Sequence, residues 1–325
     1  MKKNLKVLLI SLLLSLPFWC GVNFFQENLE KFFYAQITQP LEEINLVKIP
    51  EKTQEPNLEL QARAAISMKV NEVGREKILF KKNIDQPLPI ASLTKLMTAV
   101  IVLDYNPPTT LPAEGGAPNK NYDLENSWVI SEKAANQENV PNYGNLDSQV
   151  GKKLKVKDLL DLMLIYSSND AAWALSEVIG PDYFVEEMNQ KANDLGLANT
   201  HFVNPTGLDP DDLHYDPDPA ILHYFNYSSV KDLTKLAQYI LKERPLIFEL
   251  SRQKHLYLLQ DGIFDLFLTQ EVVGGKTGYT DEADGCILFV FKDENGNLFI
   301  NVILGAPSFK TRIEEMQKLI DWLQI

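Results

Sequence analysis

Strand patterns lie near both ends of the main body of the chain, and helical patterns fill the middle. The segments Ala64–Val70 and Lys77–Lys81 flank a polar turn that contains a glycine, which predicts a β-hairpin. Near the other end, Ile287–Lys292 and Leu298–Leu304 flank an Asn-Gly pair at 295–296, which is a strong hairpin signal. This order predicts a mixed fold of helices and strands, in which the middle of the chain packs as a helical lobe.

The helical patterns are marked by apolar residues that recur every three or four positions. Six helices are predicted. The first begins at Ser92, the second covers Val156–Ile165, and the third follows it and ends at Ile179. The other three cover Tyr183–Leu195, Val230–Leu241 and the last fifteen or so residues. A Gly-Pro pair at 180–181 ends the third of these helices, and several Pro and Gly residues between Tyr105 and Asn126 predict a loop.

The N-terminal segment, residues 1–26, carries a targeting signal. Three lysines among the first six residues precede an uncharged stretch from Val7 to Gln26. That stretch is close to the ~20 residues needed to span a bilayer, and no small-residue cleavage site follows it. The pattern predicts export, with an uncleaved membrane anchor favoured over a cleaved signal peptide. Residues 27–60 are polar and rich in proline, which predicts a tether, and residues 61–325 form the main body.

Charge and cysteine content exclude several classes of protein. The 31 basic and 44 acidic side chains give a net charge of −13, which opposes binding to nucleic acid. The two cysteines, Cys20 and Cys286, exclude a disulfide framework and a cysteine-ligated metal site. The four histidines have no ligand-like spacing, so no metal site is predicted.

Ser92 and Lys95 form the first candidate catalytic pair. Side chains three residues apart lie on one face of a helix, within reach of each other. Ser92 is expected at the helix N-terminus, where the helix dipole favours developing negative charge. A lysine acts as a base only when it is neutral, and the apolar residues around Lys95 would bury it and lower its pKa.

Two further motifs distinguish this pair from chance matches to the same pattern. S-x-x-K alone occurs three times, at Ser92, Ser228 and Ser251, but only Ser92 precedes both Ser167-Ser168-Asn169 and Lys276-Thr277-Gly278. Each later motif alone has a structural interpretation, as the cap of the next helix or as a strand end. In this order, the three match the set found in β-lactamases and penicillin-binding proteins.

Longer segments then identify a family. The chain resembles the D-alanyl-D-alanine carboxypeptidases, low-molecular-mass penicillin-binding proteins of the serine peptidase S11 group, over roughly residues 62–325. The matching segments are ARAAISMKV (62–70), PIASLTKLMTAVIVL (89–103), LLDLMLIYSSNDAAWALSE (159–177), MNQKANDLGLANTHFVNPTGLD (188–209), VGGKTGYTDEADGCI (273–287) and VILGA (302–306).

The resemblance implies a catalytic role for four residues. Ser92 would attack a D-Ala-D-Ala peptide and form an acyl-enzyme, and Lys95 would take the serine proton. Ser167 would relay a proton to the departing D-alanine, while Asn169 would orient Lys95 and the substrate amide.

The resemblance also implies the substrate-binding residues. Lys276 and Thr277 would hold the terminal carboxylate of the substrate, and Gly278 would let the substrate approach the strand closely. The backbone N–H groups of Ser92 and Tyr279 would form the oxyanion hole. No metal or organic cofactor would be needed.

The implied fold is the β-lactamase/DD-peptidase-like α+β fold. It has an antiparallel five-stranded sheet flanked by helices, with an inserted all-helical lobe at roughly 105–245. A C-terminal β-domain, present in longer members, is not expected after the final helix. Two segments depart from the family pattern: LYLLQDGIFDLF (256–267) lacks the expected asparagines, and Pro210–Tyr227 is interpreted as a surface insert.

The implied partners are a peptidoglycan stem peptide ending in D-Ala-D-Ala, β-lactam antibiotics as acylating inhibitors, and the membrane through residues 1–26. A D,D-endopeptidase of peptidoglycan cross-links remains the main alternative, because it would use the same residues. A β-lactamase is less favoured, because no E-x-x-L-N occurs between Asn169 and Lys276. A penicillin-sensing domain is less favoured because few residues precede the predicted anchor.

Overall fold

A five-stranded antiparallel sheet lies at the centre of the structure, a computed structural model that describes residues 58–105, 124–137, 144–210, 219–252 and 271–323. The strands are β1 (Ala64–Val70), β2 (Glu76–Lys82), β3 (Leu88–Pro89), β4 (Ser127–Val129), β5 (Lys153–Lys155), β6 (Tyr227–Ser228), β7 (Glu271–Thr280), β8 (Asp284–Lys292) and β9 (Leu298–Ala306). The helices are α1 (Thr94–Tyr105), α2 (Val156–Ile165), α3 (Asn169–Ser176), α4 (Pro181–Asp194), α5 (Pro219–Leu222), α6 (Val230–Glu243), α7 (Leu246–Ser251) and α8 (Thr311–Leu323).

The large sheet has the strand order β2-β1-β9-β8-β7, so both predicted hairpins join one sheet. β1 pairs with β9 from Ala64 opposite Leu304 to Val70 opposite Leu298. β9 pairs on its other side with β8, and β7 lies at the sheet edge beyond β8. The last strand of the chain therefore occupies the middle of the sheet.

Both faces of the sheet are covered, because alternate residues of each strand point to opposite sides. In β8, Leu288 and Val290 face the core shared with the helical lobe. Ile287, Phe289 and Phe291 face a second core that α8 covers with Ile313, Met316, Leu319 and Ile320. This burial on two sides explains why β8 and β9 are nearly continuous apolar runs rather than alternating ones.

Helix α1 lies in the interior of the molecule. Every residue from Thr94 to Leu103 is buried, so the helix is surrounded by protein on all sides. The apolar sequence of this helix therefore buries Lys95, whose exposed fraction is 0%. Among the residues that the structure describes, no helix is long and apolar enough to cross a membrane. The anchor predicted at 1–26 and most of the tether predicted at 27–60 lie outside those residues.

The segment Pro210–Tyr227 was predicted to be a surface insert, but its C-terminal residues lie in the interior. Phe225 and Asn226 are buried, and β6 pairs with β3, with Tyr227 opposite Pro89. The insert interpretation is wrong for these last residues, because they form part of the support beneath the Ser92 turn. Residues 211–218, like the segment 256–267, lie outside the described part of the chain.

Candidate active site

Ser92 lies on a short 3₁₀ turn, Ala91–Leu93, between β3 and α1. The α-helix itself begins two residues later, at Thr94, so Ser92 precedes the first α-helical turn. Ala91 has a φ of 46°, in the left-handed region that costs a non-glycine residue about 1 kcal/mol. The Ser92 side chain is half-buried, so its hydroxyl can still be reached from outside.

Two glycines enclose this turn. Gly207 has a φ of 86°, and a Cβ atom there would lie 2.1 Å from the Ala91 carbonyl oxygen. A Cβ atom on Gly278 would lie 2.9 Å from the Ser92 backbone nitrogen. Both positions exclude larger residues because the backbone of the serine turn fills the space. The packing against the serine turn therefore requires glycine at position 278, whether or not a substrate approaches the strand.

The Lys95 amine lies among three oxygen atoms. Its Nζ is 3.0 Å from Ser92 Oγ, 2.6 Å from Asn169 Oδ1 and 2.5 Å from the Thr206 carbonyl oxygen. Among the described residues, none of the groups that hydrogen-bond to this amine is a carboxylate. Burial therefore lowers the pKa of Lys95 well below its ordinary value, and the nearby charge of Lys276 lowers it further. A lysine held neutral beside a serine hydroxyl can accept a proton from it.

The segment from Ser167 to Asn169 combines a structural and a site-forming function. Ser168 caps helix α3, because its hydroxyl accepts a hydrogen bond from Ala171 N at 3.0 Å. Asn169 reaches Lys95, and Ser167 Oγ accepts a hydrogen bond from Lys276 Nζ at 2.9 Å. Ser167 has a φ of 61°, so a left-handed residue occurs here as well as beside Ser92.

Lys276 lies on edge strand β7 and is buried. Its ammonium group also donates to the Thr277 carbonyl oxygen at 2.8 Å. Arg312, at the start of α8, donates to the Gly278 carbonyl oxygen at 2.8 Å and so lies under the same strand. Burial, together with the charge of Arg312, lowers the pKa of Lys276 to about 7. Two basic side chains, Lys276 and Arg312, thus lie on the side of the site where Thr277 is still half-exposed.

This lowered pKa predicts how stability depends on pH. Between pH 7 and about pH 10 the unfolded chain binds a proton on Lys276 that the folded protein has lost, so stability rises with pH across this window. The unfolding free energy of wild type minus that of Lys276→Met should therefore rise by up to about 3 kcal/mol over that range. Urea denaturation measured at several pH values tests this. Lys310→Met is the control, because the Lys310 side chain is 79% exposed, and the corresponding difference should stay flat.

The serines of the other two S-x-x-K motifs lie in different surroundings, and Lys254 of the second motif lies outside the described residues. Ser228 is fully buried and bonded to Thr200 Oγ1, while Lys231 points outward to Asp85. Ser251 is buried and accepts a hydrogen bond from Gly275 N at 3.1 Å. These serines hold the fold together, and their hydroxyls are not available as nucleophiles.

The structure thus brings Ser92, Lys95 and Asn169 into direct contact and joins Ser167 to Lys276. Tyr279 follows on the same strand with its side chain 43% exposed and packed edge-to-face against Phe309.

The sequence patterns did not indicate two contributors to the site. These are Thr206, which contributes only a carbonyl oxygen, and Arg312. A cation on the apolar side of the last helix, and the turn-forming word Asn204-Pro205-Thr206-Gly207, were the available signals. Within the described residues no cluster of His, Cys, Asp and Glu could hold a metal ion.

Comparisons with known proteins agree on one family. The family model for D-alanyl-D-alanine carboxypeptidase, peptidase S11, matches residues 50–308. The D-alanyl-D-alanine carboxypeptidase DacF of Bacillus subtilis is 30% identical over 80% of this chain and 62% of its own length. A D-alanyl-D-alanine endopeptidase of Pseudomonas aeruginosa is 30% identical over 81% of this chain and 78% of its own.

A solved structure supports the same fold. Penicillin-binding protein D2 of Listeria monocytogenes, in its ampicillin-bound form, aligns with a TM-score of 0.60 and 29% identity, covering 82% of this chain and 98% of that one. The predicted β-lactamase/DD-peptidase-like fold is confirmed. The chain spans about three fifths of the length of the carboxypeptidases from Bacillus subtilis and Haemophilus influenzae that it matches.

Proposed function

The chain belongs to the D-alanyl-D-alanine carboxypeptidase family, peptidase S11, and we propose that it is a serine-type D-Ala-D-Ala carboxypeptidase. It would remove the terminal D-alanine from peptidoglycan stem peptides through an acyl-enzyme on Ser92. The observation that carries this proposal is the buried Lys95 amine, which lies 3.0 Å from Ser92 Oγ and whose hydrogen-bond partners in the described part of the chain include no carboxylate. Such a pair suits acyl transfer, because the lowered pKa of Lys95 favours the neutral form of the base beside the nucleophile.

Acylation follows from this geometry. Lys95 takes the hydroxyl proton as Ser92 Oγ bonds to the carbonyl carbon of the penultimate D-alanine. The backbone N–H groups of Ser92 and Tyr279 stabilise the resulting oxyanion, and one such donor is typically worth about 3 kcal/mol. As the C–N bond breaks, the departing D-alanine takes a proton through Ser167. Water then releases the peptide acid from Ser92.

The substrate carboxylate would bind on the Lys276 side. Lys276 and the Thr277 hydroxyl supply a charge and a hydrogen bond to it, and Arg312 adds positive charge beneath the strand. A bound anion favours the protonated form of Lys276, so substrate binding would restore the charge that burial disfavours. Asn169 would hold both Lys95 and the substrate amide.

A β-lactam would acylate the same serine, because it offers a strained amide and a carboxylate to the same groups. The ampicillin-bound relative from Listeria monocytogenes supports this extension. A D,D-endopeptidase is the second candidate, favoured by the endopeptidase relatives from Pseudomonas aeruginosa and Escherichia coli, of each of which this chain covers more than three quarters. Both reactions use the same catalytic residues and differ in what lies beyond the scissile bond.

The direct test is product release from a synthetic pentapeptide ending in D-Ala-D-Ala. We expect one equivalent of free D-alanine per peptide and a tetrapeptide product, both measurable by mass spectrometry. A purified cross-linked muropeptide dimer is assayed in parallel. Cleavage of the dimer without D-alanine release from the pentapeptide would replace the carboxypeptidase with the endopeptidase, and cleavage of neither would reject both.

We place this reaction on the outer side of the cytoplasmic membrane, in the periplasm or cell wall. The lysines at positions 2, 3 and 6, followed by the uncharged run to Gln26, support export with the N-terminus kept in the cytoplasm. Residues 1–26 would serve as an anchor and residues 27–60 as a tether to a catalytic unit at 61–325. Protease digestion of intact spheroplasts tests the placement, since a catalytic unit that stays protected would contradict it.

A further inference from the structure

The loop from Phe202 to Leu208 has no regular secondary structure, yet much of it is buried. A buried irregular loop has to satisfy its backbone polar groups without a helix or sheet. Here side chains do so: Thr98 Oγ1 donates to the Pro205 carbonyl at 2.7 Å, and Leu208 N donates to Thr206 Oγ1 at 3.2 Å. The exposed fraction of Thr206 is 2%, and its carbonyl oxygen accepts from Lys95.

One oxygen atom, Asn204 Oδ1, holds the turn that carries this carbonyl. It accepts hydrogen bonds from Thr206 N at 3.1 Å, Thr206 Oγ1 at 2.9 Å and Gly207 N at 2.7 Å. A fourth donor is Asn226 Nδ2 at 2.9 Å. The position of the Thr206 carbonyl is therefore set largely by the side chain of Asn204.

Asn226 fixes Asn204 in turn and connects it to the nucleophile. The Asn226 side chain is buried, and its Oδ1 accepts from Val203 N at 2.7 Å and from Asn204 N at 3.2 Å. Its backbone carbonyl accepts from Ile90 N at 3.1 Å, two residues before Ser92. The same residue thus ties the Lys95 acceptor loop to the segment that leads into the serine turn.

The reason for this support lies in the chemistry of a neutral amine, which has two N–H donors and one lone pair. Asn169 Oδ1 and the Thr206 carbonyl oxygen can only accept, so they take both N–H bonds of Lys95. The lone pair then points to the third neighbour, the Ser92 hydroxyl. If the Thr206 carbonyl moved, an N–H could turn toward Ser92 and the lone pair would face away from the proton it must accept.

We propose that Asn226 and Asn204 are positioning residues for acylation, which hold the Thr206 carbonyl so that the Lys95 lone pair faces Ser92. This inference rests on the proposed function of Ser92 and Lys95. Neither asparagine side chain hydrogen-bonds to Ser92 or to the Lys95 amine, and both act through the Thr206 turn.

The test is the rate of acylation by a fluorescent penicillin, measured for Asn226→Ala from about pH 5 to pH 9. We expect the rate at neutral pH to fall at least about tenfold. The rising limb of the pH profile should also move to higher pH, because a loosened loop admits water around Lys95 and weakens the burial that lowers its pKa. A smaller fraction of folded protein alone would lower the acylation rate by the same factor at every pH and would leave the position of the rising limb unchanged.

Asn189→Ala is the matched control, because Asn189 holds the start of the same loop. Its side-chain amide accepts a hydrogen bond from Phe202 N and donates one to the Phe202 carbonyl oxygen. We expect it to lower the melting temperature and leave the limb in place. An unmoved limb in Asn226→Ala, or an equal displacement in Asn189→Ala, overturns the proposal. If Asn226→Ala does not fold, Asn204→Ala must displace the limb in the same direction. Failure of wild type to acylate would instead reject the proposed function.

Discussion

Replacing Ser92 with alanine is expected to abolish labelling by a fluorescent penicillin and D-alanine release together. The variant lacks the hydroxyl oxygen that is proposed to form the acyl bond, so turnover should fall by at least about 10⁴-fold. Folding should be little affected, because Ser92 is half-buried and its hydroxyl contacts the Lys95 amine. The measurements are in-gel fluorescence after incubation with the penicillin, D-alanine release and thermal unfolding of the same sample.

Ser228→Ala and Ser251→Ala are the matched controls, since each removes the serine of another S-x-x-K motif. Both hydroxyls bond within the protein, so these variants should lose about 1 kcal/mol of stability and keep their label. Label that persists in Ser92→Ala and disappears in either control would move the nucleophile to that serine.

Replacing Lys95 with methionine is expected to lower the acylation rate by about 10³-fold while leaving the protein folded, as the loss of a general base usually does. Methionine nearly matches the length of the lysine chain and carries no base. It removes the Lys95 hydrogen bonds to Asn169 Oδ1 and to the Thr206 carbonyl oxygen, which offsets the gain from removing a buried amine. Stopped-flow acylation measures the rate, and urea denaturation measures the fraction folded.

Lys231→Met is the control for this change, because Lys231 completes the S-x-x-K motif at Ser228 but lies at the surface with Asp85. Its acylation rate should equal that of wild type. A Lys95→Met protein that acylates at a near-normal rate would show that another group takes the serine proton, and would remove the basis for the positioning role of Asn226 as well.

Local sequence patterns predicted the elements of the fold better than their arrangement. Helix α2 has the predicted bounds, and α6 begins at Val230 as predicted, since apolar periodicity is a local property. Strand β8 begins at Asp284 rather than Ile287, because Gly285 still pairs with Ala306 across the sheet. The pairing of β1 with β9 could not be read from local pattern, because it joins residues from opposite ends of the main body.

The motifs led to the side chains of the candidate site but not to its backbone groups. The spacing of Ser92 and Lys95 placed them within reach of each other, and the structure gives 3.0 Å. The Thr206 carbonyl could not be predicted, because every residue has a backbone carbonyl and no side-chain pattern indicates which carbonyl contacts Lys95. Asn226 lies in a segment interpreted as an insert, and its burial and its hydrogen bond to Ile90 show that it packs beneath the serine turn.

The position of β9 in the middle of the sheet affects the time at which the protein can become active. β1 is synthesised early but cannot gain its second neighbour until Leu304 has been added. At roughly 5–20 residues per second, this delay is on the order of ten to fifty seconds. Until then β7 and β8, which carry Lys276 and its strand partners, have no sheet to join. A chain that ends before β9 should therefore not bind penicillin, and acylation would report the assembly of the complete sheet as well as catalytic competence.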